Sequence, residues 1–324
     1  MNKIKRSLRL LKAALAVMAR ERKLLFFPMI ASGLAILAAL FFLLPVVAYP
    51  TGHPFFSAAH WQTLAATVAP HGEATKYHLV TQGLQAGQPG MVASPFQSRW
   101  VRLWFVPVYL SSMFIATFAN AAFYHEILQA LNGKRVSIRR GFRCAASRWR
   151  AILLWSLFAG LVGYIIRAIE QRVGLLGKIV TGFIGTGWSV ACIFVIPTLV
   201  RDPETTNPVK LLRRSAGTLK RTWGELVIGF AGVELATGLV AAALVLSAVA
   251  FFSLAGHAGG AHSLLRAISV VAGLALFLSI FLALSWLSRA VNSIYRCALY
   301  IYATEGVVPG SFDQELLDSA WKVN

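Results

Sequence analysis

Glu234 stands out as a carboxylate deep within an apolar run, nine residues past Glu225. At 1.5 Å per helical residue it lies ~13 Å further in. A charge at that depth is costly in hydrocarbon, so it is paired, kept protonated, or used to move a proton or solute. Two antiparallel helices of equal length bring Arg289 to the same level, with Asn292 one turn beyond. The expected arrangement is a structural pair, Glu234 with Arg289, to which Asn292 adds a hydrogen bond. Its competitor is a proton or solute role for Glu234.

The histidines are the other candidates. His53, His60, His71, His78, His257 and His262 are six of the seven, and all fall in segments read below as outer loops. Neutral imidazole is a common metal ligand. Spacings of 7, 11 and 7 among the first four match no standard ligand pattern, so solvated loop histidines are the simpler reading. "GWSVA" resembles part of a nucleophile elbow but sits in an apolar helical run rather than on a strand-to-helix turn. "GLLGK" lacks the spacing of a phosphate loop. Cys144, Cys192 and Cys297 form no zinc or disulfide pattern. No catalytic motif, metal or cofactor is expected.

The elements that position these residues follow from composition. Of 324 residues, 57% are hydrophobic and only 13% charged, about half the ~25% typical of soluble domains. Such a chain cannot cover itself with a polar surface. Six apolar runs explain the deficit: 24–48, 100–123, 152–166, 179–200, 226–254 and 268–290. A membrane-spanning helix needs ~20 such residues. The runs are continuous rather than alternating, which favours helices over a barrel.

The net charge of +19 suggests nucleic acid until its distribution is read. With the N-terminus inside, 24 of the 31 Lys and Arg fall in inner segments and seven in outer ones. This asymmetry places both termini in the cytosol. Three basic stretches precede outward-going spans. In the first, Ile4, Leu8, Leu11, Leu15 and Met18 share a helical face, opposite Arg6, Arg9 and Lys12. In the second, Ile138, Phe142, Ala145 and Trp149 oppose Arg139, Arg140 and Arg143. In the third, Asn207 caps and Pro208 starts a helix. There Val209, Leu212, Ala216, Leu219 and Trp223 oppose Lys210, Arg213, Arg214, Lys220 and Arg221. Basic amphipathic helices beside spans read as interfacial, drawn to anionic inner-leaflet lipid by ~1 kcal/mol per cation near the surface. Membrane lipid is therefore the expected partner, a protein partner is second, and nucleic acid is not expected.

The stretches "LKAALAVMARERKLLFFPMI", "FANAAF", "GWSVACIFVIPTLV", "LLRRSAGTLKRTWGE" and "LYIYATEGVVPGSFD" resemble an uncharacterised family of bacterial multi-pass inner-membrane proteins, classed as a domain of unknown function. More distantly the chain is similar to the helical membrane domain fused to some glycerophosphodiester phosphodiesterases. No phosphodiesterase catalytic domain is present, and the resemblance brings no catalytic residues.

The expected fold is an all-α polytopic membrane helix bundle, with six transmembrane helices and three basic interfacial helices. It forms a single integral membrane domain over 1–324, with an outer loop at 49–99 and a cytosolic tail at 304–324. A short helix near 61–68 and a helix stop near Gly306 and Pro309 complete it. The expected role is a non-enzymatic inner-membrane scaffold or partner-binding protein. The alternative is transport of a small solute, lipid or proton using Glu234. A topology reporter fused after Asn324 should be active only in the cytosol, and one inserted within 83–89 only outside. The reverse result at either position would refute the six-span topology.

Overall fold

The computed structural model describes residues 3–48, 51–68, 99–257, 263–309 and 312. All regular structure among them is helical: α1 (Lys3–Arg20), α2 (Phe26–Val47), α3 (Ala58–Val68), α4 (Arg99–Leu131), α5 (Ile138–Ser147), α6 (Trp149–Glu170), α7 (Leu175–Ala191), α8 (Val195–Arg201), α9 (Pro208–His257) and α10 (Ser263–Glu305). A 3-10 turn, Arg22–Leu25, joins α1 to α2. The chain divides into two compact units, one of residues 1–32 and 116–324 and one of residues 33–115.

Five helical segments among the described residues are long and apolar enough to cross a membrane: Arg22–Val47, Leu103–Leu131, Trp149–Glu170, Gly177–Arg201 and Val270–Glu305. By length and composition the chain is a multi-pass membrane protein. The apolar run at 226–254 falls within α9, a helix of 50 residues and so ~75 Å long. Its side chains from 221 to 237, Glu234 included, lie outside the described residues, and Ala241–Ala250 forms a shorter apolar segment. The outer loop beyond Val68, with His71 and His78, also lies outside them, as do His262 and the tail after Phe312.

In the larger unit the buried core is not spread along the spans. It gathers in one layer built from Ala14, Val17 and Met18 of α1, Leu24 and Phe27, the end of α4 from Ala119 to Leu131, Phe194–Val200, and Ala290–Ile301 of α10. The apolar stretches of the same unit are exposed, with Phe183 at 74%, Leu246 at 69% and Val271 at 65%. Lipid is as apolar as a leucine side chain, so span surfaces need no protein cover, whereas helices next to water must bury theirs. Between the spans, contacts are local: Trp155 of α6 stacks on Trp188 of α7 at 6.2 Å, and Trp286 of α10 donates to Ser32 Oγ at 2.9 Å. In the smaller unit, Phe42 stacks on Phe105 at 5.6 Å and Trp104 donates to the Phe41 carbonyl at 3.0 Å.

The helix ends follow local chemistry. Gly133, at φ +78°, closes α4. The Lys134 N–H bonds to Gln129 O at 2.9 Å and the Gly133 N–H to Ala130 O at 3.1 Å, the paired reversal that left-handed glycine permits. Gly306, at φ +67°, closes α10 at the stop read from sequence. Asn207 Oδ1 accepts from Val209 N at 2.9 Å and caps α9 as expected. The short helix expected near 61–68 is α3, which begins at Ala58.

The basic stretches differ from one another. The first two end in breaks, at Glu21 and at Arg148, before the next helix begins. The third is continuous with the apolar run that follows it, because no proline or left-handed residue interrupts 208–257. Its buried face is also turned by one residue. Leu211, Ser215 and Leu219 are buried, whereas Val209 is 44% exposed. Ser215 is the reason. Its hydroxyl donates to Ala191 O at 2.5 Å and accepts from Phe194 N at 3.1 Å, satisfying the backbone where α7 ends and α8 begins.

Gly141 of α5 permits a close crossing. A Cβ there would lie 2.8 Å from Ala122 O and 2.9 Å from Glu126 Cγ. Gly217 of α9 has open space in the same position. Gly141→Ala should therefore destabilise by about 1–3 kcal/mol through overpacking, and Gly217→Ala should be neutral or stabilise by up to about 1 kcal/mol. Thermal unfolding in detergent would show the two shifts. Equal shifts would exclude a tight α4–α5 crossing.

Candidate functional site

Glu126 is the most enclosed charged residue among the described ones, with no exposed surface. It lies near the end of α4, past the apolar run that ends at 123, because the helix continues to Leu131. Its carboxylate is filled from one segment. Ser137 N–H donates to Oε2 at 2.7 Å, Arg140 Nε to Oε1 at 2.9 Å and Arg140 Nη2 to Oε2 at 2.7 Å. This is the bidentate fork that only arginine offers. The contact holds Arg140 above its ordinary pKa, first through the hydrogen bond to Glu126. Arg140 Nη2 also donates to Arg135 O at 2.8 Å. His125 Nε2 lies 3.8 Å from Glu126 Oε1. Nearby, Glu21 Oε2 accepts from Val136 N at 3.1 Å, so two carboxylates hold the 132–137 turn.

Other arginines of the same layer cap helix ends. Arg20 Nη2 donates to Ala130 O at 2.8 Å, and Arg148 Nη1 to Asp202 O at 2.8 Å and Leu199 O at 3.3 Å. Cations there meet the negative end of the helix dipole. Arg201 pairs with Glu305 at 2.5 Å and Arg214 with Asp202. Asp202 also accepts from Thr205 and from the Glu204 N–H.

The cations assigned to lipid therefore divide. Arg140 and Arg214 are engaged in ion pairs, with Glu126 and Asp202, although Arg214 stays exposed. Arg9, Lys12, Arg139, Arg143, Lys210, Arg213 and Lys220 are exposed. The side chains of Arg6 and Arg221 lie outside the described residues, as does that of Glu234, so the Glu234–Arg289 pair cannot be placed. Arg289 is exposed and Asn292 is buried.

Arg289 and Asn292 line a cleft of about 800 Å³ where the packed layer meets the spans. One wall is a polar stripe of α10: Ser285, Arg289, Asn292 and Arg296, at intervals of three or four residues. Asn120 and Tyr124 of α4 also line it, with the Tyr124 hydroxyl in hydrogen-bonding reach of Ser293 and Arg296. The rest is largely apolar, including Leu15, Ile193, Ile196, Phe281 and Leu284. Sequence reasoning reached Arg289 and Asn292 but missed Arg296, Tyr124 and Glu126. The repeat of polar residues along one face of an apolar helix was the available signal for Arg296.

No group of three or more His, Cys, Asp or Glu suited to a metal occurs among the described residues. In the smaller unit His60 is buried, and its Nδ1 shares a hydrogen bond of 2.6 Å with Thr51 Oγ1. All three cysteines are free thiols. Burial raises the Cys144 pKa above its ordinary value, which keeps that thiol protonated and poorly nucleophilic.

Residues 100–310, well over half of the chain, match the sequence profile of a family described as of unknown function, DUF6159. No curated protein and no solved structure matches the chain.

Removing the carboxylate of Glu126 leaves the Ser137 N–H and the Arg140 guanidinium without their acceptor. Glu126→Ala should destabilise by about 3–5 kcal/mol, the range for breaking a buried pair. Arg140 is 39% exposed and water can replace part of its role. Arg140→Gln should therefore cost less, and the double variant should cost less than the two losses added. Denaturation in detergent measures all three, and strict additivity would exclude coupling.

Proposed function

For a chain that belongs to DUF6159, a family of unknown function, we propose a non-enzymatic scaffold or partner-binding protein of the bacterial inner membrane, one that rests a basic layer on anionic lipid. In this reading the chain has six spans, the fifth of them the apolar run 226–254 within α9, and both termini are cytosolic. The distant likeness to the membrane domain of glycerophosphodiester phosphodiesterases is part of the same proposal and concerns fold, not activity. Nucleic acid has no place in it.

The observation that carries the reading is the separation of charge by role. Acidic groups of the packed layer are consumed internally: Glu126 by Arg140, Asp202 by Arg214 and Glu305 by Arg201. Arg9, Lys12, Arg139, Arg143, Lys210, Arg213 and Lys220 are left facing outward on helices adjoining apolar spans. Cations in that position are attracted to anionic lipid by ~1 kcal/mol each. Trp149, 48% exposed and with Arg150 5.6 Å over its ring, sits where an interfacial aromatic is favoured. A second reading, transport of a small solute, lipid or proton using Glu234, is favoured by the arginine-lined cleft.

Brominated lipids test the surface reading. In nanodiscs, brominated phosphatidylglycerol should quench Trp149 more strongly than brominated phosphatidylcholine, taking the Trp149→Phe protein as the blank. Changing Arg139, Arg143, Arg213 and Lys220 together to Gln should abolish the difference while the protein stays inserted. Equal quenching by the two lipids in the parent protein would refute it.

A further inference from the structure

We propose that the cleft at the junction of the packed layer and the spans is a binding site for one anionic amphiphile. Arg289 and Arg296 take the charged head, and the Phe281 end takes hydrocarbon. This goes beyond the surface reading, because none of the exposed cations on α1, α5 and the start of α9 is among the residues that line the cleft.

Three observations converge. The first is charge. Arg289 and Arg296 are seven residues apart on α10, two turns and ~10 Å along the same face. No Asp or Glu is among the described residues that line the cleft. Guanidinium groups are forked donors matched to the oxygens of a phosphate or carboxylate, and two of them line this cleft. The second is the polar complement. Ser285, Asn292, Ser293 and the α4 residues Asn120 and Tyr124 supply neutral hydrogen-bonding groups around the arginines. The third is the gradient. From Arg296 to Phe281 is fifteen residues, ~22 Å of helix, and the lining turns from polar to apolar over that length. A bare inorganic anion would leave the Leu284, Ile193 and Ile196 walls wetted, and a neutral lipid would bring no net opposite charge to the two cations of the lining. A molecule with an anionic head and an alkyl part matches both ends. The volume of about 800 Å³ lies within the ~300–1,000 Å³ of ligand sites.

Gly238 of α9 lines the apolar side, and a Cβ there meets nothing within 4 Å. A leucine at 238 would therefore enter the cleft without displacing backbone. Arg289 is exposed, so its loss does not disturb the core.

The test uses the full chain in a neutral detergent, with binding read by native mass spectrometry and by titration. The probes are dihexanoyl phosphatidylglycerol, dihexanoyl phosphatidylcholine and inorganic phosphate. The expected result is saturable binding of one phosphatidylglycerol per chain, with the other two probes at least roughly tenfold weaker, as loss of a charge-assisted contact implies. Arg289→Gln and Gly238→Leu should each weaken phosphatidylglycerol binding by a similar factor and keep the parent's thermal transition. The four-residue Gln variant of the surface cations should bind it like the parent, which separates this site from the surface reading. Equal binding of the two lipids would overturn the anion role. Phosphate binding as tight as phosphatidylglycerol would overturn the amphiphile. Parent-like binding by both cleft variants, or loss of binding in the surface variant alone, would move the lipid elsewhere and overturn the site.

Discussion

A carboxylate with no exposed surface must be fully occupied or the fold around it fails. At Glu126 the occupants come from one short segment, the Ser137 N–H and both arms of the Arg140 fork. That requirement fixes where the chain goes after α4. The turn at Gly133 must bring residues 137–140 back beneath the helix it has just left, and α5 must cross close enough that Gly141 has no room for a side chain. The crossing in turn seats Phe27, whose ring stacks on Phe123 at 5.6 Å and on Phe142 at 5.9 Å. Through Phe27 the entrance to α2 is set by the same contact. The energetic sense is asymmetric. A buried pair adds little over a well-packed apolar substitute, but half of one is costly. The pair thus specifies the arrangement more than it strengthens it.

The rest of the packed layer repeats this use of arginine. Arg20 and Arg148 close carbonyl ends that would otherwise face a low-dielectric layer unsatisfied, and Arg201 and Arg214 tie helix ends to acidic groups. A raw count of basic residues therefore overstates the charge available to lipid. Exposure alone does not separate the two groups, since Arg20, Arg201 and Arg214 are exposed and still bound to carbonyl or acidic groups. Structural and surface roles share one composition and are separated only by position.

The boundary between packed layer and spans is where two packing regimes meet. Below it, side chains interlock as in a soluble core. Above it, apolar residues are left to face lipid. The cleft lies at that change, and α10 passes through both regimes without a break. A polar stripe along such a helix has water-facing chemistry at one end and hydrocarbon at the other, which is why the same wall carries Arg296 and Phe281.

What the sequence by itself determined is what local chemistry decides. Long apolar runs cannot be soluble surface, so the multi-pass character and five of the six expected spans were legible. The cap at Asn207 before Pro208 and the stop at Gly306 follow from capping and from left-handed glycine, which need no distant partner, and the short helix expected near 61–68 runs from Ala58 to Val68. Only the tertiary structure decided the rest. Glu126 lies three residues past the apolar run that ends at 123, and its value comes from Arg140, fourteen positions on and across a turn. The buried face of α9 is turned toward Ser215 because two backbone groups more than twenty residues away, at Ala191 and Phe194, need its hydroxyl. Periodicity counts apolar residues and cannot foresee a polar one that is buried to satisfy another segment. The cleft joins α1, α4, α8, α9 and α10, so no single stretch of sequence contains it.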